Sequence, residues 1–141
     1  MTDEMRTLAN ALIEKSTSAF VASIDEQGDP NIKAMFSEEH DGVKIFYFST
    51  NVSARRTADF IRNPRASIYF CDQENDAGVL LVGRMEVCRE RELRERLWHD
   101  GDELYYPTGI DDPDYCVLRF TAEHGNIYYN CEKMDFLPEE L

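Results

Sequence analysis

Seven short runs rich in β-branched and aromatic residues recur along this chain, most of them parted by only a few turn-forming residues. They fall at 19–24, 31–38, 45–48, 66–71, 78–87, 115–121 and 127–131. Parallel pairing needs a crossover of about a dozen residues or more, so strands this closely spaced pair antiparallel. Helical patterns occur in only three places, 3–15, 53–62 and 90–99. In the first, Met5, Leu8, Leu12 and Ile13 share one face, and Thr2 is a candidate cap. Pro30 opens the second strand, where Ile32, Ala34 and Phe36 alternate with Lys33, Met35 and Ser37. His40-Asp41-Gly42 is expected to be a hairpin turn, Gly83 a bulge, and His124-Gly125-Asn126 the join between the last two strands. The pattern therefore specifies a mostly β fold with peripheral helices, a closed antiparallel barrel of about seven strands.

No repeat, linker or low-complexity segment divides the 141 residues, so 1–141 is expected to be one domain. A net charge of −13 opposes binding to nucleic acid and to an anionic membrane surface. No apolar run approaches a membrane span, and the first residues are acidic and amphipathic rather than signal-like, so a cytoplasmic location is expected. Cys71, Cys88, Cys116 and Cys131 form no C-x-x-C pair and lie in or beside apolar runs, which reads as reduced packing residues rather than a disulfide frame or zinc site. His40, His99 and His124 have no metal spacing, so no metal is expected. Neither usual glycine-rich nucleotide loop is present, and no catalytic set can be assigned from the residues. Asp111 and Asp112, ahead of Pro113, read as a solvated turn.

One stretch carries chemistry. The apolar run at 45–48 passes into Ser49, Thr50, Asn51 and Ser53, which offer helix caps, and then into a short helix with Arg55 and Arg56 in its first turn. Asn63-Pro64 stops that helix. Free N–H groups and the helix dipole make such a terminus positive, so two arginines there are locally unfavourable. Either an anion such as phosphate sits among them, or both are solvated or paired with the chain's many acids.

Several segments, in order, resemble the flavin-binding split-barrel family that includes pyridoxamine 5′-phosphate oxidase, most closely its general stress protein branch. They are Asp29-Pro30-Asn31-Ile32-Lys33-Ala34-Met35, Phe48-Ser49-Thr50-Asn51, Ser53-Ala54-Arg55-Arg56 and Arg62-Asn63-Pro64-Arg65. Leu80-Leu81-Val82-Gly83, Leu97-Trp98 and the stretch from Tyr105-Tyr106-Pro107 to Asp114-Tyr115 complete the match. The resemblance implies a split β-barrel homodimer binding FMN in two clefts at the subunit interface. It assigns Lys33, Ala34 and Met35 to the flavin ring, and Ser49, Thr50 and Asn51 to ring or ribityl atoms. It assigns Ser53, Arg55 and Arg56 to the phosphate, with Trp98 and Tyr106 near the rear of the site.

The implied activity is that of a flavin-dependent oxidoreductase of unidentified substrate, exchanging electrons with a small-molecule donor or acceptor. The same cleft would also serve a non-catalytic flavin protein used in stress-related sensing or storage, and haem or a deazaflavin are the alternative cofactors. Two departures bear on the activity. Arg56 stands where the oxidase has lysine, and the oxidase's C-terminal substrate-binding extension has no counterpart, which argues against pyridoxamine phosphate oxidation.

Overall fold

The computed structural model describes residues 1–141. Its strands are β1 (Ser18–Ile24), β2 (Pro30–Phe36), β3 (Glu39–Asp41), β4 (Ile45–Asn51), β5 (Arg65–Asp72), β6 (Ala77–Cys88), β7 (Tyr115–Tyr129) and β8 (Glu132–Phe136). The helices are α1 (Asp3–Lys15), α2 (Arg55–Arg62) and α3 (Arg91–Leu97). Every strand pair is antiparallel, in the order β2-β1-β5-β6-β7-β4-β3, with β8 added to β7. The sheet curls into an incomplete barrel: β2 and β4 do not pair, so the closed barrel read from the strand pattern is open along one side, the split barrel that the resemblance implied.

Inward-facing positions of β1 and β4 to β8 supply most of one core of 23 buried residues. Phe46 is central to it, its ring 5.4 Å from Phe70 and 6.3 Å from Phe120. Met5, Ala9, Leu12 and Ile13 of α1 add to this core, and Thr2 caps that helix by accepting from Met5 N at 3.2 Å. Truncating a fully buried phenylalanine in such a core costs about 3–5 kcal/mol.

Several expectations need correction. No break occurs at His124-Gly125-Asn126, because β7 runs unbroken from Tyr115 to Tyr129. Gly125 is there for close approach: a Cβ would strike the Phe136 ring and the Leu80 carbonyl. The bulge does fall at Val82/Gly83, where Val82 pairs with His124 and Gly83 with Ala122, leaving Glu123 as the extra residue on β7. Glu39-His40-Asp41 is a short edge strand, so the turn begins at Gly42, with φ +57°. No side chain caps α2, whose N-cap is Ala54. Cys88 and Cys116 are buried but Cys71 and Cys131 are exposed, and all four are free thiols. Asp112 is buried, not solvated; its carboxylate accepts from Thr108 N at 3.1 Å and Asp114 N at 2.9 Å.

Two features of the sheet set up the site. The β3–β4 ladder spans only Ile45 to Tyr47, so the remainder of β4's edge is open. Strand β2 lies at the other end of the strand order, and its outer edge is also open. The two strands approach each other across this seam without pairing.

Candidate functional site

A cleft of about 440 Å³ occupies the seam between β2 and β4. Ala34, Met35 and Phe36 line one wall, and Ser49, Thr50 and Asn51 the other. Arg56 of α2 lies at the end of β4, and Asp102, Tyr105 and Tyr106 cover the opposite side. Three polar atoms among these residues are shut off from solvent with no hydrogen-bond partner: Ser49 Oγ, Thr50 Oγ1 and Arg56 Nε. Leaving a buried polar group unpaired costs about 1–3 kcal/mol, so three in one cleft mark a place built for a polar ligand.

The end of β4 is held by an aspartate that the sequence did not single out. Asp114 accepts from Asn51 Nδ2 at 2.8 Å, from Ser53 N at 2.8 Å and from Ser53 Oγ at 3.0 Å. These bonds keep its carboxyl below the usual range, the Asn51 amide first. Thr57 Oγ1 donates to the Asn51 carbonyl at 2.7 Å, which fixes α2 to the same turn. Arg56 is thereby carried to the cleft. Arg55, one residue earlier and so about 100° around the helix, is 71% exposed and reaches Asp25 at 3.5 Å instead.

Aromatic rings back the cleft. Tyr106, which is buried and lines it, lies 4.5 Å from Tyr115 and 6.0 Å from Trp98, centroid to centroid. Burial pushes the Tyr106 phenol well above its ordinary range, so it stays protonated and can donate. Trp98 supports Tyr106 from behind rather than lining the cleft.

Away from Arg56 the cleft is acidic. Glu38 and Asp102 both line it, and His99 Nδ1 stands 3.2 Å from Glu38 Oε2. Asp102 accepts from His99 N at 2.9 Å, which ties the two residues into one turn. Burial raises the Glu38 carboxyl, His99 lowers it and Asp102 raises it again.

Of the residues singled out in the sequence, Ala34, Met35, Ser49, Thr50, Asn51, Arg56 and Tyr106 come together in this cleft. Lys33, Ser53, Arg55 and Trp98 are not among its lining residues; Lys33 is exposed on β2. Phe36, Glu38, Asp102 and Tyr105 line the cleft but were not singled out, since nothing local ties them to β4. A second recess, of about 530 Å³, runs between α1 and the β5–β6 turn and contains none of these residues.

The family described as pyridoxamine 5′-phosphate oxidase matches the chain over residues 2–129. General stress protein 26 of Bacillus subtilis (strain 168) is 28% identical over 101 residues, 70% of each chain. A solved protein from Clostridium acetobutylicum, described as related to general stress protein 26 and of the pyridoxinephosphate oxidase family, is 43% identical. It superposes with a TM-score of 0.89 over 99% of both chains. A haem-binding protein from Mycobacterium smegmatis shares the fold at 19% identity, with a TM-score of 0.74 over 93% of this chain and 57% of that one. The resemblance carried by the motifs is thus borne out: the chain belongs to the pyridoxamine 5′-phosphate oxidase family.

Proposed function

We propose that the cleft between β2 and β4 binds FMN and that the protein is a flavin-dependent oxidoreductase. The observation that carries this reading is the set of three buried, unpartnered polar atoms on Ser49, Thr50 and Arg56. Arg56 supplies the fixed positive charge that a phosphate requires, at the end of β4 where Asp114 holds the chain. The hydroxyls of Ser49 and Thr50 offer hydrogen bonds to a polar heterocycle or its ribityl chain, and Ala34 and Met35 offer an apolar wall against a flat ring. An arginine and two hydroxyls are a donor set that suits a phosphate-bearing flavin. When bound, FMN supplies hydride or single-electron transfer. The protein's contribution is to anchor the phosphate, orient the ring and exclude water behind Tyr106.

A homodimer belongs to the same reading. Phe20, Ile32 and Phe36, on the outer face of β1 and β2, are 48%, 64% and 69% exposed, and Ala34 lies among them. Contiguous exposed apolar side chains of this size are characteristic of an interface. A second copy on this face would reach the rim of the cleft through Ala34 and Phe36, which line it. Light scattering is expected to give the mass of two chains, and a monomer with full FMN affinity would remove this part.

Absorption spectroscopy and mass measurement of the ligand that copurifies, or that the protein takes up on addition, test the cofactor. A flavin spectrum and the mass of FMN are expected, and a haem spectrum would overturn the reading. Reduction of the bound flavin by NADH or NADPH, with transfer to an added acceptor, tests the catalytic part.

A further inference from the structure

The phosphate end of the cleft is short of positive charge. A phosphomonoester carries about −1.5 to −2 at pH 7, and the Asp114 carboxylate stands beside Ser53 at the same end. Against these, Arg56 is the only cation lining the cleft, because Arg55 turns away to Asp25. A second cation is needed for the charges to balance.

The fold brings one to this end from a different strand. Cys88, the last residue of β6, pairs with Val117, and Val117 pairs with Ser49. One step further along β7, Cys116 pairs with Thr50, and Arg89 follows Cys88 at the same level. Two strand spacings put the Arg89 and Thr50 backbones roughly 10 Å apart. Arg89 donates to the Pro113 carbonyl at 3.0 Å, immediately ahead of the Asp114 that holds Asn51 and Ser53. Burial raises the Cys116 thiol, and the two cations that offset part of that rise are Arg89 and Arg56. Both guanidinium groups therefore lie near one buried side chain, one from the β6 side of β7 and one from the α2 side.

Arg89 is also uncommitted. Arg62 pairs with Asp59 at 2.7 Å, Arg65 with Glu123 at 2.8 Å and Arg91 with Asp111 at 3.0 Å, as expected in a chain of net charge −13. Arg89 meets the neutral Pro113 carbonyl and no carboxylate, and it is exposed. Its remaining N–H groups are free to turn toward an anion.

We propose that Arg89 is a second phosphate-binding residue of the cofactor site, closing on the phosphate from the β6 side while Arg56 holds it from α2. The proposal rests on the reading of the cleft as an FMN site. It assigns the second charge to a residue 33 positions beyond Arg56 and outside the hydroxyl-and-arginine stretch.

Titration of FMN and of riboflavin into the native, Arg89→Gln and Arg89→Lys proteins tests it. Glutamine can still donate to the Pro113 carbonyl but carries no charge, whereas lysine keeps the charge without the planar fork. Arg89→Gln is expected to weaken FMN about tenfold and riboflavin by less than about twofold, with Arg89→Lys recovering much of the FMN affinity. Parallel losses for both ligands would make Arg89 a structural tie to Pro113. Unchanged FMN affinity in Arg89→Gln would make it a surface charge, and either result overturns the proposal. A native protein that binds riboflavin as tightly as FMN would instead overturn the FMN reading, and this proposal with it.

Discussion

Asp114 accepts a hydrogen bond from Asn51 Nδ2 at 2.8 Å across 63 residues of sequence, and its second oxygen accepts Ser53 N at the same distance. The residue that fixes the turn between β4 and α2 thus comes from immediately ahead of β7. Asp112 orders this segment in turn by accepting Asp114 N at 2.9 Å. The position of Arg56 relative to Thr50 is a consequence of that clamp, with no need for either residue to touch Asp114.

Asp114→Ala is therefore expected to weaken FMN binding by about tenfold or more, since small misplacements of binding groups are costly. Asp114→Asn, which can still accept from Asn51, should recover part of the loss. Titration of flavin fluorescence measures both, with Arg91→Ala on the exposed face of α3 as a control expected to bind like the native protein.

Thr50→Val separates a ligand's hydroxyl from a structural one. Without ligand, the Thr50 hydroxyl is buried and unpaired, so replacing it with a methyl should leave the apoprotein as stable or more stable, by about 1 kcal/mol. With FMN present the order should reverse, because the native hydroxyl then finds a partner. Thermal unfolding of both proteins with and without FMN reads this out; a Thr50→Val apoprotein several degrees less stable would mean that the hydroxyl has a structural partner.

Much of the barrel was legible because β1, β4, β5 and β6 bury apolar side chains in period-two or continuous runs. Strands β3 and β8 were not, because Glu39-His40-Asp41 and Glu132-Lys133-Met134-Asp135-Phe136 lie at sheet edges and are largely polar. Gly125 imitated a turn, since a glycine that admits a neighbouring ring looks the same in sequence as one that reverses the chain. At the site, local chemistry singled out the hydroxyl-and-arginine stretch but left open whether an anion sits there or the arginines are solvated. The divergence of Arg55 and Arg56 was not, because it depends on which residue starts the helix, and the contribution of Asp114 depends on a strand pairing.

Two of the four thiols should react with a disulfide reagent at pH 8. Cys71 and Cys131 are exposed, whereas burial pushes Cys88 up to about 12 and Cys116 up to about 11. The thiolate is the reactive form, so the buried pair is protected by both access and protonation. Spectroscopic titration is expected to count two thiols in the native protein and four in denaturant; four rapid reactions without denaturant would contradict the buried placement.

Acid should destabilise the fold at unusually low pH. Hydrogen bonds hold the carboxyls of Asp25, Asp112 and Asp114 below their ordinary range, and those from Asn75 and Lys15 hold Asp72 down at about 2. A folded-state value below the unfolded one means the unfolded chain binds more protons through this window, so stability falls as pH drops from about 4 toward 2. Glu38, raised by burial, acts in the opposite sense but stands alone against these and against Asp111 and Glu123, which are lowered as well. Thermal unfolding is expected to change little in this respect above about pH 5 and to fall steeply below about pH 4. A comparable loss between pH 7 and 5 would show that other groups dominate.

Whether Arg56 anchors the phosphate of FMN is tested most directly by comparative titration of the native and Arg56→Ala proteins with FMN and with riboflavin. A hydrogen bond to a charged group contributes about 1.5–3 kcal/mol, so Arg56→Ala should cost roughly 10- to 150-fold in FMN affinity. Riboflavin, which lacks the phosphate, should be nearly unaffected, and Arg55→Ala, whose side chain is 71% exposed, should cost less than Arg56→Ala. If the native protein binds riboflavin as tightly as FMN, or Arg56→Ala leaves FMN affinity unchanged, Arg56 does not hold a phosphate and the cleft is not the FMN site proposed for it.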